Sequence, residues 1–299
     1  MKFAVTGGAG FIGNNIVRLL LEQGHQVKVI DNLHSGKIEN ISDIYEQVKF
    51  ENIDIRDFDK LSSTLNGVDG VFHEAALTVV QESFEKEEEY YDVNVTGTEN
   101  IFKIAEKNNF KVVYASSSSI YGNTTTIPIK EDFNRNPINP YGKTKLDDEL
   151  LAEKYCVKGV KIIGLRYFNV YGIGQTITYA GVITKFLEKL KKSESPIIFG
   201  EGDQVRDFVY VKDVALANLA AMKSDENKGF FNIGTGKTVS ILELAEKMIS
   251  LYKLNLKPIF EKPLDGDVKK SMADTNLTKS KLNWHHKTEL ENGLKEFLK

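Results

Sequence analysis

Thr6-Gly7-Gly8-Ala9-Gly10-Phe11-Ile12-Gly13 joins an apolar, β-branched run, Lys2 to Thr6, to an amphipathic pattern from Phe11 to Gln23. Three glycines spaced by three residues therefore fall where a strand is expected to meet a helix. A glycine-rich hairpin or flexible loop requires neither that spacing nor that junction. Gly7 permits the tight turn, Gly10 lets backbone approach a pyrophosphate, and Gly13 allows close packing of helix on sheet. The helix start contributes free N–H groups and the positive end of its dipole. Asp31 closes the next apolar run, Gln26 to Ile30. A carboxylate there accepts hydrogen bonds from the adenosine ribose hydroxyls and repels a 2′-phosphate, so the pattern predicts NAD rather than NADP. Asp31-Asn32 is also good turn chemistry, and the two readings are compatible.

Outward from this turn, short β-branched runs alternate with helical patterns. A helix is expected near Ile38 to Glu46, and further strands at Val48 to Ile55, Gly70 to His73, Lys111 to Ser116 and Val160 to Tyr167. That rhythm predicts βαβ units and an α/β, Rossmann-type doubly wound parallel sheet. Pro137 and Pro140 mark a loop ahead of a helix starting near Tyr141. Beyond about Asn169 the rhythm loosens. Helices are expected from about Tyr179 to Lys192, Lys212 to Lys223 and Ser240 to Tyr252, with short strands around Ile197 and Phe208. The expected division is an NAD-binding domain over 1–168 with a return segment near 206–233, and a smaller, interleaved substrate lobe over 169–299.

Bulk composition narrows the class. The 299 residues are 41% hydrophobic and carry a net charge of −3, which offers no broad basic field for nucleic acid or an anionic membrane. One cysteine, Cys156, excludes an intramolecular disulfide and fits a reducing, cytoplasmic setting. No basic-then-apolar leader opens the sequence, and no apolar run reaches the roughly twenty residues that span a bilayer. No metal is expected: His285-His286 beside Trp284 lacks an acidic or thiol partner at ligand spacing. The acidic run from Glu85 to Glu89 reads as a solvated helix face.

Tyr141-Gly142-Lys143-Thr144-Lys145 sets a phenol and an ammonium at i and i+4, one face of a helix. The ammonium favours the phenolate and brings it toward service as a base. The spacing alone is weak, for Tyr45 and Lys49 share it. Context separates them. Tyr141 follows Ser116-Ser117-Ser118-Ser119-Ile120-Tyr121-Gly122 at the end of the Lys111 strand, and open α/β sheets bind ligands at strand carboxyl ends.

Together these residues resemble the extended short-chain dehydrogenase/reductase family, within it most closely UDP-glucose and UDP-N-acetylglucosamine 4-epimerases. The likeness extends over Asp31-Asn32-Leu33, Asp54-Ile55-Arg56-Asp57, His73-Glu74-Ala75-Ala76, Asn94-Val95-Thr96-Gly97-Thr98, Arg166 to Gly172, Val205-Arg206-Asp207-Phe208 and Gly266-Asp267. It implies Ser117, Tyr141 and Lys145 as the catalytic set. Cofactor contacts are implied for Gly7, Gly10, Phe11, Ile12 and Gly13 at the turn, and for Asp31, Asn32, Asp54 and Ile55 at the adenosine end. Ala75, Ala76, Asn94, Tyr141, Lys145 and Tyr167 are implied along the rest of the cofactor. The substrate, a UDP-sugar, is implied to meet Ser117, Tyr141, Asn169, Arg206, Asp267 and Ser271, with Arg206 donating doubly to a phosphate. An ion pair with an acidic neighbour is the plainer role for Arg206.

Three positions depart from the resemblance. Ser118 and Ser119 stand where dehydratases carry an Asp-Glu pair, which disfavours elimination of water. Leu264 replaces a second diphosphate-clamping arginine. Ser271 replaces a bulky tyrosine of glucose-type epimerases and leaves room for an N-acetyl group, unless that space is filled from elsewhere. The implied reaction is epimerisation at C4 through a transient 4-keto sugar, on UDP-glucose/UDP-galactose and on UDP-GlcNAc/UDP-GalNAc. Alternatives are a nucleotide-sugar reductase or dehydrogenase, a uronic acid epimerase, or a cofactor-binding module without chemistry. Family members pair through helices near Asn94 and Leu146, so a homodimer is expected.

Overall fold

A computed structural model of the protein describes residues 1–175, 181–263 and 268–298. Among them a seven-stranded parallel sheet is built from β1 (Lys2–Thr6), β2 (Gln26–Ile30), β3 (Lys49–Glu51), β4 (Gly70–His73), β5 (Lys111–Ser117), β6 (Ile162–Tyr167) and β11 (Lys228–Ile233), in the order β11-β6-β5-β4-β1-β2-β3. Short strands β7 (Asn169–Tyr171), β8 (Ile197–Phe199), β9 (Val205–Arg206), β10 (Phe208–Tyr210), β12 (Val239–Ser240) and β13 (Ile259–Glu261) pair outside it, as β10 with β7, β12 with β9 and β13 with β8. The helices are α1 (Phe11–Glu22), α2 (Phe58–Thr64), α3 (Val80–Glu85), α4 (Glu87–Tyr91), α5 (Gly97–Asn108), α6 (Pro140–Val157), α7 (Val182–Lys191), α8 (Val211–Lys223), α9 (Ile241–Leu251), α10 (Asn276–Leu282) and α11 (Leu290–Lys295).

Alternate residues of each strand feed opposite faces of the sheet. Phe3 and Val5 pack with Ile16, Val17 and Leu20 of α1 and with Val214, Ala217 and Ala221 of α8. Ala4 instead joins Leu61 of α2, Ile101 and Phe102 of α5, and Tyr155 of α6. The Rossmann-type sheet is thus covered on both sides, which is why its strands read as nearly continuous apolar runs. A third cluster gathers Phe186 of α7, Tyr210 of β10, Leu244 and Met248 of α9 and Leu294 of α11, and it touches Phe11 and Ile12 at the glycine turn. Strand order reverses between β1 and β4, so a crevice opens above their carboxyl ends.

Three elements differ from the sequence pattern. Residues Ile38–Gln47 form 3₁₀ turns rather than an α-helix; the buried residues Ile41 and Ile44 are three apart, the period of that tighter helix. The third strand ends at Glu51 instead of continuing to Ile55, opposite Ile30 where its partner β2 ends, and Asp54 then turns the chain by accepting the Arg56 N–H at 2.9 Å. The helix expected from about Tyr179 begins at Val182, and Tyr179 itself lies outside the described residues. Among those described, no helix is long and apolar enough to cross a membrane.

Candidate active site

The glycine turn is held by its own backbone and by the Asn14, Asp31 and Asn40 side chains. Gly7 adopts φ +65°, and its N–H donates to the Ile30 carbonyl at 2.8 Å. A Cβ at Gly7 would lie 2.8 Å from the Ala75 nitrogen, and one at Gly13 would strike the Gly7 carbonyl oxygen. The β1 turn, the β4 turn and α1 therefore approach closer than any side chain permits. No side chain caps α1, so its first N–H groups remain available to an anion. Asp31 is buried; its carboxylate accepts the Ala9 N–H at 3.0 Å and the Leu33 N–H at 2.8 Å. Burial nevertheless pushes its pKa up, with those two bonds opposing the shift.

A cleft of about 350 Å³ runs from this turn across the sheet. It is lined by Gly7, Gly10, Phe11, Ile12, Gly13 and Asp31 and equally by Ser117, Tyr141, Lys145, Tyr167 and Asn169. A smaller cavity of about 70 Å³ adjoins it through Gly7, Asp31, Ala75 and Ala76, and is lined further by Asn32, Asp54 and Ile55. Asp54 there takes hydrogen bonds from Asn32 at 3.0 Å and from Arg56 at 2.7 Å. The Arg56 guanidinium draws its pKa down to about 2, so it stays a carboxylate. A close backbone turn, an uncapped helix start and an acidic end to the second strand fit a dinucleotide, with the smaller cavity beside Asp31 for its adenosine end.

Ser117 ends β5, and its hydroxyl caps the following 3₁₀ turn by accepting the Ser119 N–H at 3.1 Å. Tyr141 and Lys145 stand on the first two turns of α6, which starts sharply. Asn139 caps it by accepting the Gly142 N–H at 2.7 Å, and Pro140 occupies its first turn. The rival pair separates: Tyr45 belongs to the 3₁₀ segment, while Lys49 opens β3 and pairs with Glu51.

Other expected residues lie away from the cleft. Asn94 is fully buried, with its amide committed to Leu77 on both sides, at 2.8 and 3.0 Å, and to Thr144 at 3.0 Å. It clamps the β4 loop to α6 and lines neither cavity. Arg206 lines a neighbouring cavity of about 300 Å³ with Lys237, Lys247 and Phe208, and Phe208 also borders the main cleft. Ser271 is buried, and its N–H donates to the Val205 carbonyl at 3.1 Å. It lines none of these cavities but sits beside the strand that carries Arg206. Asp267 and Leu264 lie outside the described residues.

Residues 3–234 match the model of the NAD dependent epimerase/dehydratase family. The chain belongs to this family. NAD is accordingly its cofactor. Among solved structures, it is 37% identical to the UDP-glucose 4-epimerase of Thermotoga maritima, determined with UDP-glucose, at a TM-score of 0.95 over 100% of this chain and 98% of that one. It is 36% identical to the UDP-N-acetylglucosamine 4-epimerase of Methanobrevibacter ruminantium M1, determined with UDP-N-acetylmuramic acid, at a TM-score of 0.95 over 99% and 96%. A UDP-N-acetyl-alpha-D-glucosaminuronate decarboxylase of Bacillus cytotoxicus is 33% identical over 98% of this chain and 95% of that protein.

Within this epimerase/dehydratase scaffold, the structure reveals site residues that the sequence pattern passed over. Glu149, four residues beyond Lys145, is buried and takes two bonds from Arg166 at 2.8 Å each and one from Ser116 at 2.7 Å. This knot fixes α6 against β5 and β6, hence Tyr141 against Ser117. Its sequence signal is the i+4 continuation from Tyr141 and Lys145 to Glu149. Glu74 also lines the cleft, and its Oε1 accepts the Tyr167 hydroxyl at 2.9 Å. Tyr167 in turn accepts from Asn218 at 2.7 Å.

Proposed function

We propose that the protein is an NAD-dependent UDP-hexose 4-epimerase that accepts UDP-glucose/UDP-galactose and UDP-GlcNAc/UDP-GalNAc. One observation carries this reading: Ser117, Tyr141 and Lys145 line the same cleft as the glycine turn. When bound, NAD supplies the hydride acceptor and donor. Tyr141 removes the proton of the C4 hydroxyl and later returns it, with Ser117 orienting that hydroxyl. Lys145 favours the phenolate and holds the nicotinamide ribose. Ser118 and Ser119 offer no acid–base pair for elimination. Asn169 and Arg206 hold the diphosphate, and Lys247, which shares the Arg206 cavity, adds positive charge where Leu264 has none; Lys237 in that cavity is paired with Glu289.

Purified protein given UDP-GlcNAc and UDP-GalNAc separately, and likewise the two unacetylated sugars, is followed by proton NMR. Interconversion without net change in NADH absorbance is expected. No interconversion of either pair overturns the epimerase reading, and stoichiometric NADH change would favour a reductase or dehydrogenase. We also propose a homodimer: Tyr91 of α4 and Leu150 of α6 are large apolar side chains left exposed. Light scattering giving one chain's mass would refute it.

A further inference from the structure

Tyr141, Lys145 and Asp148 stand at i, i+4 and i+7 of α6 and share one helix face. Asp148 is fully buried, and its Oδ2 lies 3.2 Å from the Lys145 ammonium, itself buried. The other oxygen, Oδ1, is buried with no hydrogen-bond partner among the described residues. A buried ion pair within one helix and without a further role is often replaceable by apolar side chains, since desolvating two charges offsets most of their attraction. Here the cation is also a wall of the cleft, shared with Tyr141.

Besides Lys145, a hydrogen bond from the Thr98 hydroxyl favours the Asp148 charge. Thr98 of α5 and Asp147 of α6 lie near Asp148, and Tyr114 of β5 faces it. His73 and Glu74, at the end of β4, lie near Lys145. His73 is buried between Thr6 at 2.6 Å and Thr98 at 2.8 Å, and burial draws its pKa down to about 3, so it stays neutral. Glu149 is committed to Arg166 and Ser116. Burial pushes the Asp148 pKa up, and the Lys145 ammonium beside it pulls it back.

We propose that Asp148 is a positioning residue: it holds the Lys145 ammonium at the cleft and, by its charge, governs how far that ammonium favours the Tyr141 phenolate. This rests on Tyr141 being the base of the proposed reaction. An anion in contact with the ammonium cancels much of its field at the phenol. It also acts directly on Tyr141 across seven residues of helix, about 10 Å. Both effects oppose the phenolate. In D148N the amide oxygen can still accept from the ammonium, so Lys145 keeps its place while its field at the phenol is no longer cancelled.

The test is D148N in the NAD-loaded protein, which keeps the shape of the side chain and removes the charge. Two titrations are read: the acid limb of sugar interconversion against pH, and carbon NMR of tyrosine labelled at Cζ, with the Tyr141 resonance assigned by its loss in Y141F. Both move to lower pH in D148N, by on the order of half to one pH unit. Titrations that overlay the wild type overturn the proposal, because a purely structural role leaves them in place. Should D148N not fold, D148S is read the same way. A shifted phenol titration in a protein that interconverts no nucleotide sugar upholds the role of Asp148 and rejects the epimerase reading, so the two failures separate.

Discussion

Glu74 is a carboxyl poorly served by its surroundings. Tyr167 donates one bond to Oε1, while Oε2 is buried without a partner among the described residues. Burial pushes its pKa up to about 8, against the pull of Tyr167 and Lys145. Between its ordinary pKa and that value the native state retains a proton that the unfolded chain has released, so stability falls as pH rises through this window. Glutamine offers the same shape without a proton to lose. E74Q is therefore expected to melt higher than the wild type at pH 8, with the difference shrinking toward pH 5; a melting difference independent of pH refutes the assignment. Tyr141 is a second test at this scale. Removing its hydroxyl in Tyr141→Phe is expected to lower turnover by roughly 10²- to 10⁴-fold, the usual worth of a positioned acid–base group. Undiminished turnover removes Tyr141 from its role.

At the scale of elements, the β1–α1 turn works by exclusion of side chains. The Cβ of Gly13→Ala would meet the Gly7 carbonyl and lie 2.8 Å from the Gly8 Cα, both backbone, so the helix must retreat rather than a side chain rotate. A cost of about 1–3 kcal/mol is expected, as for overpacking elsewhere, with loss of copurified NAD; melting and the absorbance of released cofactor measure both. This turn was legible in the sequence because its requirement is local: glycine where no Cβ fits. Asp31, Ser117, Tyr141 and Lys145 were legible because they end strands or begin a helix beside it. The surroundings of Asn94, Glu149 and Asp148 were not, since each is decided by a partner brought in by packing. Leu77 and Thr144 take up the Asn94 amide, and Arg166 from β6 meets Glu149 from α6. The 3₁₀ segment at Ile38–Gln47 escaped for the opposite reason, because an apolar spacing of three serves an α-helix as well as the tighter one.

Across the whole molecule, the sheet and the later elements meet through a few buried polar anchors. Asp207 is one: it is fully buried and accepts the backbone N–H groups of Thr235, Gly236 and Ala273 at 2.8, 2.9 and 3.1 Å, with the Thr235 hydroxyl at 2.7 Å. The segment around Ser271 is stitched to the same place. Ser271 donates to Val205, and Met272 accepts the Ile129 N–H at 2.8 Å. Residue 271 is thereby fixed next to the strand bearing Arg206, whatever the remainder of the C-terminal chain does. If the space beside that strand receives the sugar's C2 substituent, its volume decides between acetylated and plain sugars, and a pocket discriminates best by refusing what is too large. Ser271→Tyr would fill it. Because Ser271 is buried, the ring also imposes overpacking of about 1–3 kcal/mol on the fold, so absolute activity is a poor readout and the ratio of substrates is the informative one. The expected outcome is a fall of on the order of 10²-fold in kcat/KM for UDP-GlcNAc and UDP-GalNAc relative to UDP-glucose and UDP-galactose, at the upper end of what one methylene in a pocket decides. Equal losses for both pairs would place residue 271 away from the sugar and leave its part in stitching the two regions together as its whole function.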